Sequence, residues 1–121
     1  IPGLKELLTA VKKVSERGYI LGLDKRRILV DKPHKALNYL LQGSSAILAK
    51  RWMLLTYEYL PPTAHQLAFV HDELQYECKE CDKEHLQFLL EVKALESGEY
   101  YNLRCPIAAE SKHGNNWSEV H

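Results

Sequence analysis

The sequence predicts an α+β fold: a small antiparallel sheet carrying one tight polar hairpin, packed against a long helix and further amphipathic helices. Three observations lead there. Runs with apolar residues three or four apart alternate along the chain with short runs rich in β-branched and aromatic residues. One helical periodicity runs from Leu37 to Tyr59, far longer than a strand, until Pro61-Pro62 breaks it. Between Leu67 and Glu77 two strand-like runs flank a bend of three polar side chains, His71, Asp72 and Glu73.

Each element has its own justification. Leu4, Leu7, Leu8, Val11 and Val14 form an apolar stripe with Lys5, Glu6, Lys12 and Lys13 between them. This predicts an amphipathic helix ending near Arg17, with Gly18 as its stop. Tyr19–Leu23 and Arg26–Val30 read as a hairpin around a Gly22-Leu23-Asp24-Lys25 turn. Asp31-Lys32-Pro33 opens the long helix, with Asp31 in position to cap it and Pro33 tolerated in the first turn. Leu67–Val70 and Leu74–Glu77 make the second hairpin. Lys83–Leu95 is amphipathic through Leu86, Leu89, Leu90 and Val92, and Tyr100–Ile107 reads as a last strand before a polar tail. No repeat, low-complexity stretch or linker divides the chain, so residues 1–121 read as one domain.

Composition narrows the functional classes. A chain of 121 residues with 45% hydrophobic and 26% charged residues is ordinary globular material that can bury a real core. No apolar run approaches the roughly 20 residues needed to cross a bilayer, and no signal-peptide pattern opens the chain, which predicts a soluble protein of the cytoplasm with no membrane partner. Lys plus Arg equals Asp plus Glu at 16 each, so net charge gives no footprint of a nucleic-acid binder. Basic residues do cluster at Lys25-Arg26-Arg27, Lys32-Lys35 and Lys50-Arg51. The chain opens Ile1-Pro2-Gly3 and its one methionine is Met53, so it reads as a piece of something longer.

The hairpin bend carries the chemistry. Hard cations such as Mg²⁺ take oxygen ligands, commonly one or two carboxylates with substrate phosphates completing the shell. A carboxylate at the tip of a hairpin is held rigidly yet reaches ligand, which makes Asp72 the leading metal ligand, with Glu73 beside it. Adjacent acids at a turn are more often a solvated tip, because turns favour polar residues. The flanking residues change that balance. Ala68-Phe69-Val70-His71-Asp72-Glu73-Leu74-Gln75 resembles the third conserved polymerase motif of family A DNA polymerases, with the His-Asp-Glu core matched in full.

Two further segments carry the same resemblance. Asn38, Gln42 and Ser45 form a polar stripe on the long helix, and amides suit the minor groove, where acceptors recur at nearly the same place in every base pair. A solvated helix face is the ordinary reading of such a stripe. Pro33 to Ala46, however, resembles the family A palm helix whose Asn and Gln touch the primer-template, with Asn38 and Gln42 at those positions. His34 matches the histidine of the short-tailed-phage replicases, where many bacterial members carry arginine. Asn102-Leu103-Arg104-Cys105 and Glu110 to Trp117, ending at His121, are similar to the phage-type carboxyl terminus. Trp117 reads there as a packing anchor. Ile1 to Leu7 resembles the stretch just beyond the family's nucleotide-binding helix, so the resemblance is collinear over the chain.

Cys78-Lys79-Glu80-Cys81 has zinc-site spacing, and His85 and Cys105 complete four ligands on paper. Structural zinc usually takes two compact ligand pairs, so reduced thiols are the preferred reading.

The resemblance implies the C-terminal part of a DNA-directed DNA polymerase palm, with Mg²⁺-dependent transfer of a nucleotide to a primer 3′-hydroxyl. It implies Asp72 as a bridging metal ligand, Glu73 as a weaker or outer acid and His71 at the primer-terminal phosphate. Asn38, Gln42 and His34 would hold the duplex, with Arg26 and Arg27 more loosely matched as backbone contacts. Primer-template DNA, a deoxynucleoside triphosphate and the upstream remainder of the polymerase, from the same gene or a split one, are the implied partners. The family's other metal-binding strand and its nucleotide-binding helix are missing from these residues, so half of a two-metal site is expected and no activity of the chain alone. A noncatalytic DNA-binding or scaffolding domain derived from a palm is the alternative. A stand-alone nuclease needs more carboxylates near Asp72 than the sequence places there.

Overall fold

The computed structural model describes residues 1–121, and their contacts divide into two units, Ile1–Ile47 and Leu48–His121. In the first unit, α1 (Leu4–Ser15) leads into a two-stranded antiparallel sheet of β1 (Tyr19–Leu21) and β2 (Arg27–Leu29), paired Tyr19 to Leu29 and Leu21 to Arg27. Gly18 stops the helix with φ 89°, a left-handed conformation that costs glycine nothing, and its carbonyl accepts from the Val30 N–H at 2.9 Å. Helix stop and hairpin base are thereby joined. The hairpin turns at the expected Gly22 to Lys25, with the Lys25 N–H on the Gly22 carbonyl at 2.9 Å and Lys25 itself at φ 66°. A three-residue loop ending in a left-handed residue matches the right-handed twist of its strands.

Ile20, Val30 and Ala36 form the core of this unit, with Val11, Ile28, Tyr39 and Leu40 around them. A Cβ on Gly43 would stand 2.9 Å from Ile28 Cδ1, so the bare glycine lets the hairpin close on the helix. A single 3₁₀ turn, Pro33–Lys35, precedes α2 (Ala36–Tyr57), with Pro33 in the first turn as expected. Asp31 does not cap it. The residue before the turn is Lys32, which offers no side-chain cap, and the Asp31 carboxylate instead accepts from the Tyr39 hydroxyl at 2.9 Å.

In the second unit the rest of α2 meets the antiparallel pair β3 (His65–Val70) and β4 (Glu73–Glu77) and the helix α3 (Lys83–Tyr100). The Trp52 indole N–H donates to the Leu90 carbonyl at 2.8 Å, and Gln66 links Met53 Sδ at 3.1 Å to the Tyr76 hydroxyl at 3.5 Å. Ala64, Leu86 and Leu89 are the core, joined by Leu60, Tyr76, Cys78 and Leu90. Burial of the Tyr76 phenol favours its neutral form and pushes its pKa up to about 12. The antiparallel pairing is thus divided between two separate two-stranded sheets.

The end of α3 corrects one expectation. Tyr100–Ile107 is not a strand: α3 runs on to Tyr100, and residues 101–107 contain no strand. The Leu103 N–H bonds the Gly98 carbonyl at 3.1 Å and the Asn102 N–H bonds the Glu99 carbonyl at 2.9 Å, with Asn102 at φ 54°. This is a Schellman C-cap with asparagine as the left-handed residue, and the β-leaning composition beyond it is overruled by helix-end hydrogen bonding. Asp82 stands at the N-cap position of α3 but its carboxylate accepts from the Thr63 hydroxyl, with no cap bond to the helix.

Candidate functional site

The His71–Glu73 hairpin is built as the sequence predicts, but more tightly. Val70 pairs with Glu73, so only His71 and Asp72 lie in the turn. Two-residue hairpin loops usually place Gly or Asn where φ must be positive. Here His71 takes that conformation, at φ 57°. A non-glycine residue held there stores backbone strain, and such strain gathers at functional positions. On the β3 side the register shifts between Gln66 and Ala68, a bulge that leaves Leu67 unpaired and 62% exposed.

The two acids at the turn differ in environment. Asp72 is exposed and is free of protein hydrogen-bond partners, so both its oxygens can turn to an incoming ligand. Glu73 is half-buried and engaged: its Oε1 accepts from the Gln75 amide and stands 2.7 Å from His121 Nε2. Those bonds, the Gln75 one first, hold the Glu73 carboxyl below its usual range, while the Trp117 carbonyl and then Glu73 raise the His121 imidazole above its usual value. His121 is also stacked on the Trp117 indole, with ring centroids 4.1 Å apart and planes at 18°. Trp117, 58% exposed, packs against the histidine rather than in the core.

The donor chemistry fits a hard cation in part. Asp72 and Glu73 are adjacent carboxylates of the kind Mg²⁺ accepts, but no group of three or more His, Cys, Asp or Glu side chains is gathered in a way that could hold a metal. The same observation leaves Cys78, Cys81, His85 and Cys105 without an assembled zinc site, and all three cysteines are free thiols.

The other predicted residues lie in the first unit. His34, in the 3₁₀ turn, and Asn38, Gln42 and Ser45, on α2, are all exposed at helical spacing, so the polar stripe exists as one solvent-facing row. Arg26 is paired with Asp24 inside its own hairpin. The Arg27 guanidinium lies 4.7 Å from the Tyr19 ring centroid, with Arg17 on the same ring at 4.2 Å. Both arginines are exposed and are tied to local partners.

Sequence reasoning missed three features here. Gln75 and His121 as partners of Glu73 left no signal, since 48 residues separate His121 from its acid. The strain at His71 was readable, because no Gly or Asn stands between Val70 and Glu73. So was the charge distribution: residues 1–47 hold nine Lys and Arg against four Asp and Glu, and residues 48–121 hold seven against twelve. The neutral total conceals a basic unit carrying the polar stripe and an acidic unit carrying the hairpin.

Known proteins resemble this chain along most of its length. The sequence pattern of "DNA polymerase family A" matches residues 6–119. The DNA-directed DNA polymerase of Enterobacteria phage T3 is 37% identical over 88% of this chain, and that of Escherichia phage T7 is 36% identical over the same share. The polymerase of Escherichia phage Phieco32 is 30% identical over 99% of it. This chain spans only 16% to 21% of the length of those relatives. Among solved structures, the POL domain of a polymerase from M. smegmatis, in complex with DNA primer-template and dNTP, superposes with a TM-score of 0.76. Its sequence is 25% identical, and the match covers 87% of this chain and 21% of that one. A pattern match over almost every residue, polymerase relatives aligned along most of the chain, and a shared fold leave one assignment: the chain belongs to DNA polymerase family A.

Proposed function

We propose that this chain is the C-terminal part of a DNA polymerase palm and supplies one half of a Mg²⁺-dependent nucleotidyl-transfer site. The observation that carries this reading is the strained two-residue turn that presents Asp72 with both oxygens free, on a chain of this family. Asp72 would hold the metal and Glu73 would lie at its edge, while the exposed His71 would meet the primer-terminal phosphate. Exposed His34, Asn38 and Gln42 would line the duplex minor groove, with Arg26 and Arg27 at the backbone. When bound, the metal pair supplies Lewis-acid stabilisation of the attacking and leaving oxygens. Two carboxylates at one turn do not complete such a site, so the chain alone is inactive in this reading and works with the upstream part of the polymerase, covalently joined or separately made. Its substrates are primer-template DNA and a deoxynucleoside triphosphate, and its place is the cytoplasm.

The test is primer extension with Mg²⁺ and four nucleotides. The chain alone should give none. Mixed with a polypeptide carrying the upstream motifs it should extend the primer, and Asp72→Ala should reduce that extension on the order of a thousandfold. Templated extension by the isolated chain, or an Asp72→Ala mixture as active as the parent, would overturn the reading.

A noncatalytic DNA-binding role has one observation in its favour: the basic unit carries the amide stripe without any carboxylate of the hairpin. Duplex binding that weakens in Asn38→Ala and Gln42→Ala, is indifferent to Mg²⁺, and accompanies no extension in the mixture would select it.

A further inference from the structure

We infer that His121 is a positioning residue for Glu73: the tail folds back and fixes one rotamer of the hairpin carboxylate, leaving its second oxygen open. The inference rests on the metal reading of the hairpin for its catalytic meaning, but its geometry stands apart from it.

The contact is built from both sides. On the tail, a short helix α4 (Trp117–Val120) is capped by Asn116, whose side-chain oxygen accepts from the Glu119 N–H at 3.2 Å. The Glu119 carboxylate reaches back to the Asn115 N–H at 2.6 Å, so the turn before the helix is closed reciprocally. His121 is then held by two contacts of its own: its Nδ1 is 3.1 Å from the Trp117 carbonyl and its ring lies flat on the Trp117 indole. The ring faces two acceptors, so as the imidazolium it donates from Nδ1 to that carbonyl and from Nε2 to Glu73 Oε1 at 2.7 Å.

On the hairpin, Gln75 donates to the same Oε1. Two partners converge on one oxygen, and Oε2 has no protein partner. A carboxylate tied through one oxygen cannot rotate freely, and the other oxygen points in a fixed direction. Groups that orient a ligating side chain in this way commonly alter metal affinity tenfold to a hundredfold when removed.

Two substitutions separate donor from stacking. His121→Phe keeps a flat ring for Trp117 and loses the donor, whereas His121→Gln keeps a nitrogen donor near the position of Nε2 and loses the ring. The first readout needs no metal: ¹³C relaxation of the Glu73 side chain in the full 121-residue chain. The expected result is an order parameter that falls below about 0.6 in His121→Phe and stays near the parent value in His121→Gln. Unchanged order in His121→Phe, or an equal fall in both variants, would overturn the inference.

The second readout is Mn²⁺ affinity by electron paramagnetic resonance. His121→Phe should weaken it roughly tenfold and His121→Gln should restore it. Affinity indifferent to His121→Phe would overturn the link between tail and metal. Mn²⁺ binding that is absent, or unmoved by Asp72→Ala, would sink the metal site of the proposed function, while the relaxation result still decides whether His121 positions Glu73.

Discussion

His71 holds φ 57° in a turn that glycine would occupy without strain, and that single dihedral makes a prediction. His71→Gly removes the steric cost but adds chain entropy, so thermal unfolding should show a melting temperature no lower than the parent's, whereas His71→Val should destabilise by about 1–2 kcal/mol because a β-branched side chain suffers most there. A His71→Val protein as stable as the parent would mean the turn relaxes. Gly98 poses the opposite problem. A Cβ there would lie 2.7 Å from Ile107 Cγ1, so Gly98→Ala should cost about 1–3 kcal/mol in urea unfolding, and Ile107→Ala in the same chain should recover part of it. The Trp52 indole offers a milder case. Trp52→Phe loses its bond to the Leu90 carbonyl and should cost about 1 kcal/mol by the same measurement.

Among the elements, the entry to α2 and the exit of α3 show how helix ends are decided. Asp31 has the composition of a cap, yet its carboxylate serves the Tyr39 hydroxyl, which holds the Asp31 carboxyl below its usual 3.8 and raises the Tyr39 phenol above 10.0. The sign follows from each shift. A depressed carboxyl pKa contributes stability present above about pH 4 and lost as pH falls through the lower folded value. A raised phenol pKa contributes stability that is complete below about pH 10 and lost as pH rises through the higher one. Tyr39→Phe should therefore lower the melting temperature near pH 7, and the gap should close as pH falls through the depressed Asp31 value. A gap that persists in acid would place the effect in packing instead. At the other end, Asn102→Gly should keep α3 capped and Asn102→Val should fray its last turn, visible as faster amide exchange at Leu103.

For the molecule as a whole, charge is the property that the two units do not share. If the basic unit meets DNA, duplex affinity should fall as salt rises, and Lys32→Ala or Lys35→Ala should flatten the slope of log affinity against log salt by about one for each phosphate contact removed. A slope unchanged in both variants would move the phosphate contacts elsewhere. Exposed Leu4, Leu7 and Leu8 on α1 and Phe88 and Leu95 on α3 leave apolar surface on both units. No helix is long and apolar enough to cross a membrane.

The sequence by itself determined the family and the local elements, because those depend on short-range pattern. Alternation and a turn placed the His71 hairpin, 3.6-residue spacing placed Asn38 and Gln42 on one face of α2, and Gly18 marked the end of α1. Where pattern failed, a contact between distant residues or a helix-end hydrogen bond had intervened. Nothing in Asp31 foretells Tyr39, and the β-branched and aromatic residues after Tyr100 cannot compete with the Schellman bonds that close α3. The candidate site divides the same way. Asp72 and Glu73 were legible as neighbours in the chain, but the hydrogen bond that turns Glu73 comes from His121, 48 residues on. Only tertiary structure decided that contact, since closing so long a loop depends on the fold that brings its ends together.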